Sequence, residues 1–206
     1  VIYDPDLVAS LPTELVVASG LNAVAHCIDA MWGPRADPID QALAMEALAA
    51  LRIGLPRILL GETAAVGTTL YGSYLGAVAF SSAGSGMHHR ICHVLGGMFA
   101  LPHAPTHAVV LPHVLAFNGP AAPDAAQRIG AALGADDASV GLETLQQRLG
   151  APRALRDLGL READIAAAVA GILPALPTNN PRAVSPSSLT ALLHRAWSGD
   201  SPRSQY

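Results

Sequence analysis

The chain has 206 residues, 51% of them hydrophobic, 14% charged and only 4% aromatic, with a formal net charge of −4. That is ample apolar material for one domain, or a domain and a half, around a substantial core. No basic run is present to grip nucleic acid, no stretch reaches the roughly 18 uninterrupted apolar residues of a membrane span, and two cysteines are too few for a disulfide framework.

In chain order, Val1-Ile2-Tyr3-Asp4-Pro5 reads as the tail of a strand leaving some preceding structure, and residues 1–10 as a junction before a helical domain over residues 11–206. Pro12-Thr13-Glu14 opens a helix well, with proline early and an acid in the first turn. The run that follows, residues 15–32, is apolar on most faces and predicts a buried helix, stopped by Gly33-Pro34. Asp37-Pro38 starts a second helix, expected to end between residues 51 and 54 because Pro56 lies just beyond. Residues 68–80 are small and apolar, with Gly72 and Gly76 spaced to let another helix approach closely. A histidine-rich helix is expected over residues 85–97, and another over 106–117, broken or restarted near Pro112. Ordinary amphipathic helices follow over 124–133, 141–149, 162–173 and 187–197, the last preceded by Ser185-Pro186-Ser187-Ser188, a strong cap and first turn. Strand signals are otherwise lacking, and the pattern predicts an all-α bundle.

Chemistry concentrates in the histidine-rich segment. His89 and His93 stand four residues apart, so on a helix they share one face about one turn, roughly 6 Å, from each other. His103 follows just after Pro102, in what reads as a turn. Asn22 and His26 repeat the four-residue spacing on an earlier helix. Two such helices and a turn histidine can converge on one cavity. His88 adjoins His89 and so points about 100° away, towards a different partner. His107 reads as a neighbour of the site and His113 as structural. Cys27 and Cys92 lie in apolar stretches and read as reduced thiols of a cytoplasmic protein.

Several segments carry a resemblance to a known family: Val1-Ile2-Tyr3-Asp4-Pro5-Asp6-Leu7, Ser19-Gly20-Leu21-Asn22-Ala23-Val24-Ala25-His26, His88-His89-Arg90-Ile91-Cys92-His93-Val94-Leu95-Gly96-Gly97, Leu101-Pro102-His103-Ala104-Pro105-Thr106-His107 and Asn180-Pro181-Arg182. Together they resemble the C-terminal, all-helical domain of the iron-containing alcohol dehydrogenase superfamily, a dehydroquinate synthase-like fold. Asn22, the His88-His89 pair and Asn180-Pro181-Arg182 resemble the maleylacetate reductase branch in particular.

The resemblance implies an oxidoreductase that uses NADH or NADPH to saturate the carbon–carbon double bond of maleylacetate, giving 3-oxoadipate in aromatic-compound breakdown. It implies a homodimer and a separate N-terminal dinucleotide-binding α/β domain; no glycine-rich turn after a strand occurs within these residues, so the 206 residues alone are not expected to turn over. Metal-binding members hold iron or zinc at positions that match Asn22, His26, His89 and His103. An asparagine amide at the first of these is a much weaker ligand than an aspartate, so the expectation is a site without metal. His93 matches a histidine beside nicotinamide and substrate. The expected roles are therefore His26, His89 and His103 binding and polarising substrate as an imidazolium cluster, His93 donating a proton or positioning the nicotinamide, and Asn22, His107 and the Arg182 guanidinium as further substrate contacts. Two rivals stand beside this: a metal-dependent alcohol or glycerol dehydrogenase of the same superfamily, and a non-catalytic helical binding module.

Overall fold

The computed structural model describes residues 2–8 and 10–202, and among these no strand occurs. Ten α-helices make up the fold: α1 (Pro5–Val8), α2 (Thr13–Ala30), α3 (Pro38–Leu59), α4 (Ala64–Ala83), α5 (Met87–Phe99), α6 (His103–Asn118), α7 (Pro123–Ala132), α8 (Ala138–Leu149), α9 (Ile165–Ile172) and α10 (Pro186–Ser198), with short 3-10 turns between the later ones. The all-α bundle expected from the periodicity is what forms. The strand expected at the start is not: Val1 lies outside the described residues, and residues 2–4 are irregular, with no neighbouring strand to supply the ladder that extended backbone needs.

Helix starts follow the local chemistry. The Asp37 carboxylate accepts from the amides of Ile39 and Asp40, both at 2.8 Å, with Pro38 filling the first turn of α3. Ser185 and Ser188 exchange side-chain to backbone bonds at the head of α10, a complete capping box.

Two prolines expected to end helices do not. Pro56 lies inside α3, close enough to its C-terminus that a single backbone bond is forfeited. Pro112 lies in the middle of α6, which runs unbroken. A proline there leaves the Ala108 carbonyl without its helical donor, and Gln146 of α8 supplies one from its side-chain amide at 2.7 Å. His103 is likewise the first residue of α6 and not part of a turn, because the chain reverses earlier, through Ala100 at φ 54.

The helices bury two apolar clusters. The first is built on α2, α3 and α4 with α7 and α8, around Leu21, Leu48, Leu51 and Ile28. The second is built on α5, α9 and α10, around Ile91, Leu95, Ile172 and Leu192. Helix α6 serves both: Ala108, Leu111 and Leu115 face the first cluster, Val109, Val110, Val114 and Phe117 the second. The seam between the two is where the histidines meet.

Candidate active site

Six imidazoles from α2, α5 and α6 gather in one place. The His26 ring lies parallel to His89 with centroids 5.0 Å apart, and Phe80 of α4 lies against both, at 4.7 and 4.2 Å. His89 in turn stands 4.7 Å from His107 and 6.2 Å from His93. His103 stacks on His93 at 6.4 Å and crowds His107 at 4.4 Å. His88 closes the group from the core side, 4.9 Å from His107. The structure brings His26, His89, His93 and His103 together, as their spacing led us to expect, with His107 among them. Asn22 stands one turn from His26 on α2, and its Oδ1 is buried without a partner. His93 and His103 are exposed, so the group opens to solvent at that end; His88, His89 and His107 are buried.

A residue that the spacing argument passed over organises this arrangement. Asp29, fully buried, accepts from His89 Nδ1 at 2.8 Å, and from the backbone amides of Gly86 and His89 at 3.1 and 3.2 Å. One carboxylate thereby caps the N-terminus of α5 and fixes the orientation of the His89 ring, turning its Nε2, which has no protein partner, away from the carboxylate. The other carboxylate oxygen packs on Gly86, where a Cβ would come within 2.5 Å of it. The signal was present in the sequence: Asp29 lies three residues after His26, the sole acid in the buried length of α2. Phe80 gave no comparable signal.

Burial and mutual repulsion set the charge state. His26 is pushed down to about 4, by burial first and then by His89, against the pull of Asp29. His107 is pushed down to about 2 by burial, then by His89 and His103. Burial holds His88 well below the ordinary histidine range, and partial burial, His89, His103 and Arg90 lower His93. Burial and the neighbouring rings thus favour the neutral forms of His26, His88, His93 and His107.

Arg182 is not brought to the imidazoles. Its guanidinium lies over the Phe117 ring, 4.5 Å from the centroid, and reaches the Phe117 carbonyl at 3.4 Å. Phe117 stands ten residues beyond His107 on α6, about 15 Å at the helical rise. The neighbouring Asn180 exchanges a pair of amide bonds with Asn118, at 3.1 and 2.8 Å, which anchors this loop to the far end of α6. The cation whose charge is felt at His93 is Arg90, exposed on α5. His113, also buried on α6, lies apart from the cluster, near Arg195 and Asp200.

The donor set does not fit a tightly held iron. The four positions assigned to a metal by resemblance carry three imidazoles and an amide, all without negative charge in their metal-binding forms. A divalent ion would have no anionic oxygen among these ligands, and Asp29 is engaged by His89 and two backbone amides. Ring nitrogens of His88, His89 and His107 do lie within 4.8 Å of one another, but His88 Nε2 and His107 Nδ1 already share a 2.9 Å hydrogen bond.

The fold is shared with known proteins. The model of the Fe-containing alcohol dehydrogenase family, C-terminal, matches residues 16–197. The maleylacetate reductase of Sphingobium indicum is 42% identical over 204 residues, covering 98% of this chain and 58% of the relative. An iron-containing alcohol dehydrogenase from Corynebacterium glutamicum superposes with a TM-score of 0.95 at 52% identity, over 98% of this chain and 57% of that one. The maleylacetate reductase of Rhizobium sp. strain MTP-10005 superposes with a TM-score of 0.92 at 38% identity, again over 98% and 57%. The chain thus spans somewhat over half the length of the relatives it matches.

Proposed function

This chain belongs to the Fe-containing alcohol dehydrogenase family, and we propose that it forms the substrate-binding and proton-handling part of a maleylacetate reductase. In this reading the reaction is the NADH- or NADPH-dependent saturation of an unsaturated keto-dicarboxylate, giving 3-oxoadipate. The observation that carries it is the meeting of imidazoles from three helices around His89, whose ring a buried carboxylate holds in place.

The nicotinamide, when bound, supplies a hydride to the alkene carbon β to the ketone. No strand–turn–helix phosphate cradle is found among the described residues, so this chain offers only the nicotinamide end of the cofactor site. The chemistry left to its own side chains is to hold the substrate, to stabilise the charge that moves onto the ketone oxygen, and to place a proton on the α-carbon. His26, His89 and His103 line the substrate position and polarise the substrate, with the Nδ1 side of the His89 ring held by Asp29. His93, at the open end between His89 and His103, is the proton donor. Arg90, close to His93, provides the positive charge that a dicarboxylate needs, in place of Arg182. The site acts without a resident metal, on the strength of its uncharged donor set. In this reading the enzyme is a cytoplasmic homodimer that acts on a small dianion, and its two buried free thiols suit a reducing compartment.

The test is an assay of the whole protein with maleylacetate and each nicotinamide, with metal measured on the same sample. His93→Ala and His103→Ala should each lower the rate by about 10² or more. Near-normal rates in both variants would remove the proposed site. Stoichiometric iron or zinc, with activity lost to a chelator, would favour a metal-dependent alcohol dehydrogenase instead.

A further inference from the structure

The imidazoles of the cluster differ in what holds their planes. Asp29 bonds His89 Nδ1 at 2.8 Å, and His88 Nε2 and His107 Nδ1 lie 2.9 Å apart. His26, half-buried beside them, makes no side-chain hydrogen bond among the described residues. Histidine χ2 is a broad, roughly two-fold torsion, so nothing intrinsic to the side chain fixes such a ring. Yet imidazole hydrogen bonds lie in the ring plane, so that plane decides where the two nitrogens aim. What His26 has instead is flat contact. Phe80 lies along it at 4.7 Å and 16°, and His89 at 5.0 Å and 25°. Phe80 and His89 close the triangle at 4.2 Å and 36°. Offset, near-parallel rings are a favoured aromatic arrangement, and turning His26 about χ2 breaks flat contact with both neighbours at once.

The fold carries Phe80 to this place on fixed backbone. One turn earlier α4 is pressed onto α2: at Gly76 an added Cβ would lie 2.9 Å from Cys27 Sγ and 3.4 Å from the Ala23 carbonyl oxygen. The last turn of α4 is tied to the loop after α2. The Arg35 amide donates to the Ala83 carbonyl at 2.8 Å, and its guanidinium donates to the Ser81 and Ser82 carbonyls at 3.1 and 3.0 Å. We propose that Phe80 is a positioning residue: its ring sets the plane of His26 and thereby aims the His26 nitrogens at the substrate. A ring already held in its working orientation need not be ordered during the reaction, whereas one free to turn must be. This role rests on the reduction proposed above, in which His26 lines the substrate position.

The test removes the flat face and then restores it. Phe80→Leu keeps apolar bulk but offers His26 no ring to lie along, and Phe80→Tyr keeps the ring. In the whole protein, Phe80→Leu should lower kcat for maleylacetate about tenfold or more, while Phe80→Tyr should stay within about threefold, with KM for the nicotinamide little changed in both. Equal losses in the two variants, or a normal kcat in Phe80→Leu, would make Phe80 a packing residue and overturn the proposal. Proton NMR of the aromatic rings reads the same point on the unaltered protein, with or without turnover. One narrow set of His26 ring signals, with cross-relaxation to the Phe80 ring, is expected; averaged signals from a turning ring would overturn the assignment. In Phe80→Leu the His26 signals should broaden or double. A protein with no activity on maleylacetate but with its His26 ring fixed against Phe80 would fail the functional reading and leave the positioning role standing.

Discussion

The two halves of the bundle are packed by different means. The α2–α4 half brings helix backbones close together through small residues. At Gly72 an added Cβ would lie 2.9 Å from the Ala47 carbonyl oxygen, and at Gly76 2.9 Å from Cys27 Sγ. The half built on α5, α9 and α10 is filled with leucine, isoleucine and valine and interrupted by 3-10 turns, with loops tied down by side-chain amides. The first half makes a stiff wall carrying Asn22, His26, Asp29 and Phe80. The second carries His88, His89 and His93, and the shared α6 adds His103 and His107. A site made at a seam depends on what joins the two walls: α6 packs on both, and Asp29 adds a polar tie from α2 to the head of α5.

Cutting that tie should have the largest effect. Asp29→Ala removes the partner of His89 Nδ1 and of two backbone amides at once, leaving buried donors unpaired. A loss of about 3–5 kcal/mol in unfolding free energy is expected, with activity lost even where the protein stays folded. Denaturant titration checks the first, and the maleylacetate assay the second. A variant of normal stability and rate would mean that the halves are held by apolar packing alone.

Acid is the next lever, and it acts on both halves through buried neutral histidines. His113, away from the cluster, is pushed down to about 4, by burial first and then by Arg195, as is His26 by its own surroundings. Such a ring takes up its proton more readily in the unfolded chain. Stability is therefore full above about pH 6.5 and falls as the pH drops towards 4, with His113 alone accounting for up to about 3 kcal/mol. Unfolding measured at a series of pH values should show this slope, and replacing His113 with an apolar residue of similar size should flatten it without moving the pH profile of catalysis. A slope unchanged by that replacement would assign the acid sensitivity to the cluster.

The smallest expected effect sharpens the contrast in packing. Gly72→Val should cost about 1–3 kcal/mol by forcing α4 away from α3, with a fall in melting temperature and little change in KM. A large change in KM would show that the stiff wall transmits strain to the site.

Much of this protein was legible in the sequence because it is local. Helix periodicity, the Asp37 and Ser185 caps and the four-residue spacings of Asn22 with His26 and His89 with His93 depend only on neighbours along the chain. So does the grouping of histidines that the family motif carries. What depends on a distant partner was decided by tertiary structure alone. Pro112 reads as a helix breaker until Gln146 satisfies the carbonyl that it strands, and only the fold seats the Arg182 guanidinium over Phe117. The burial that lowers His26, His88 and His107 likewise belongs to the fold and not to the spacing. Asp29 was visible as a lone acid in an apolar helix, but its bond to His89 spans sixty positions of sequence. Desolvation and long-range pairing are properties of the folded environment, and no pattern along the chain carries them.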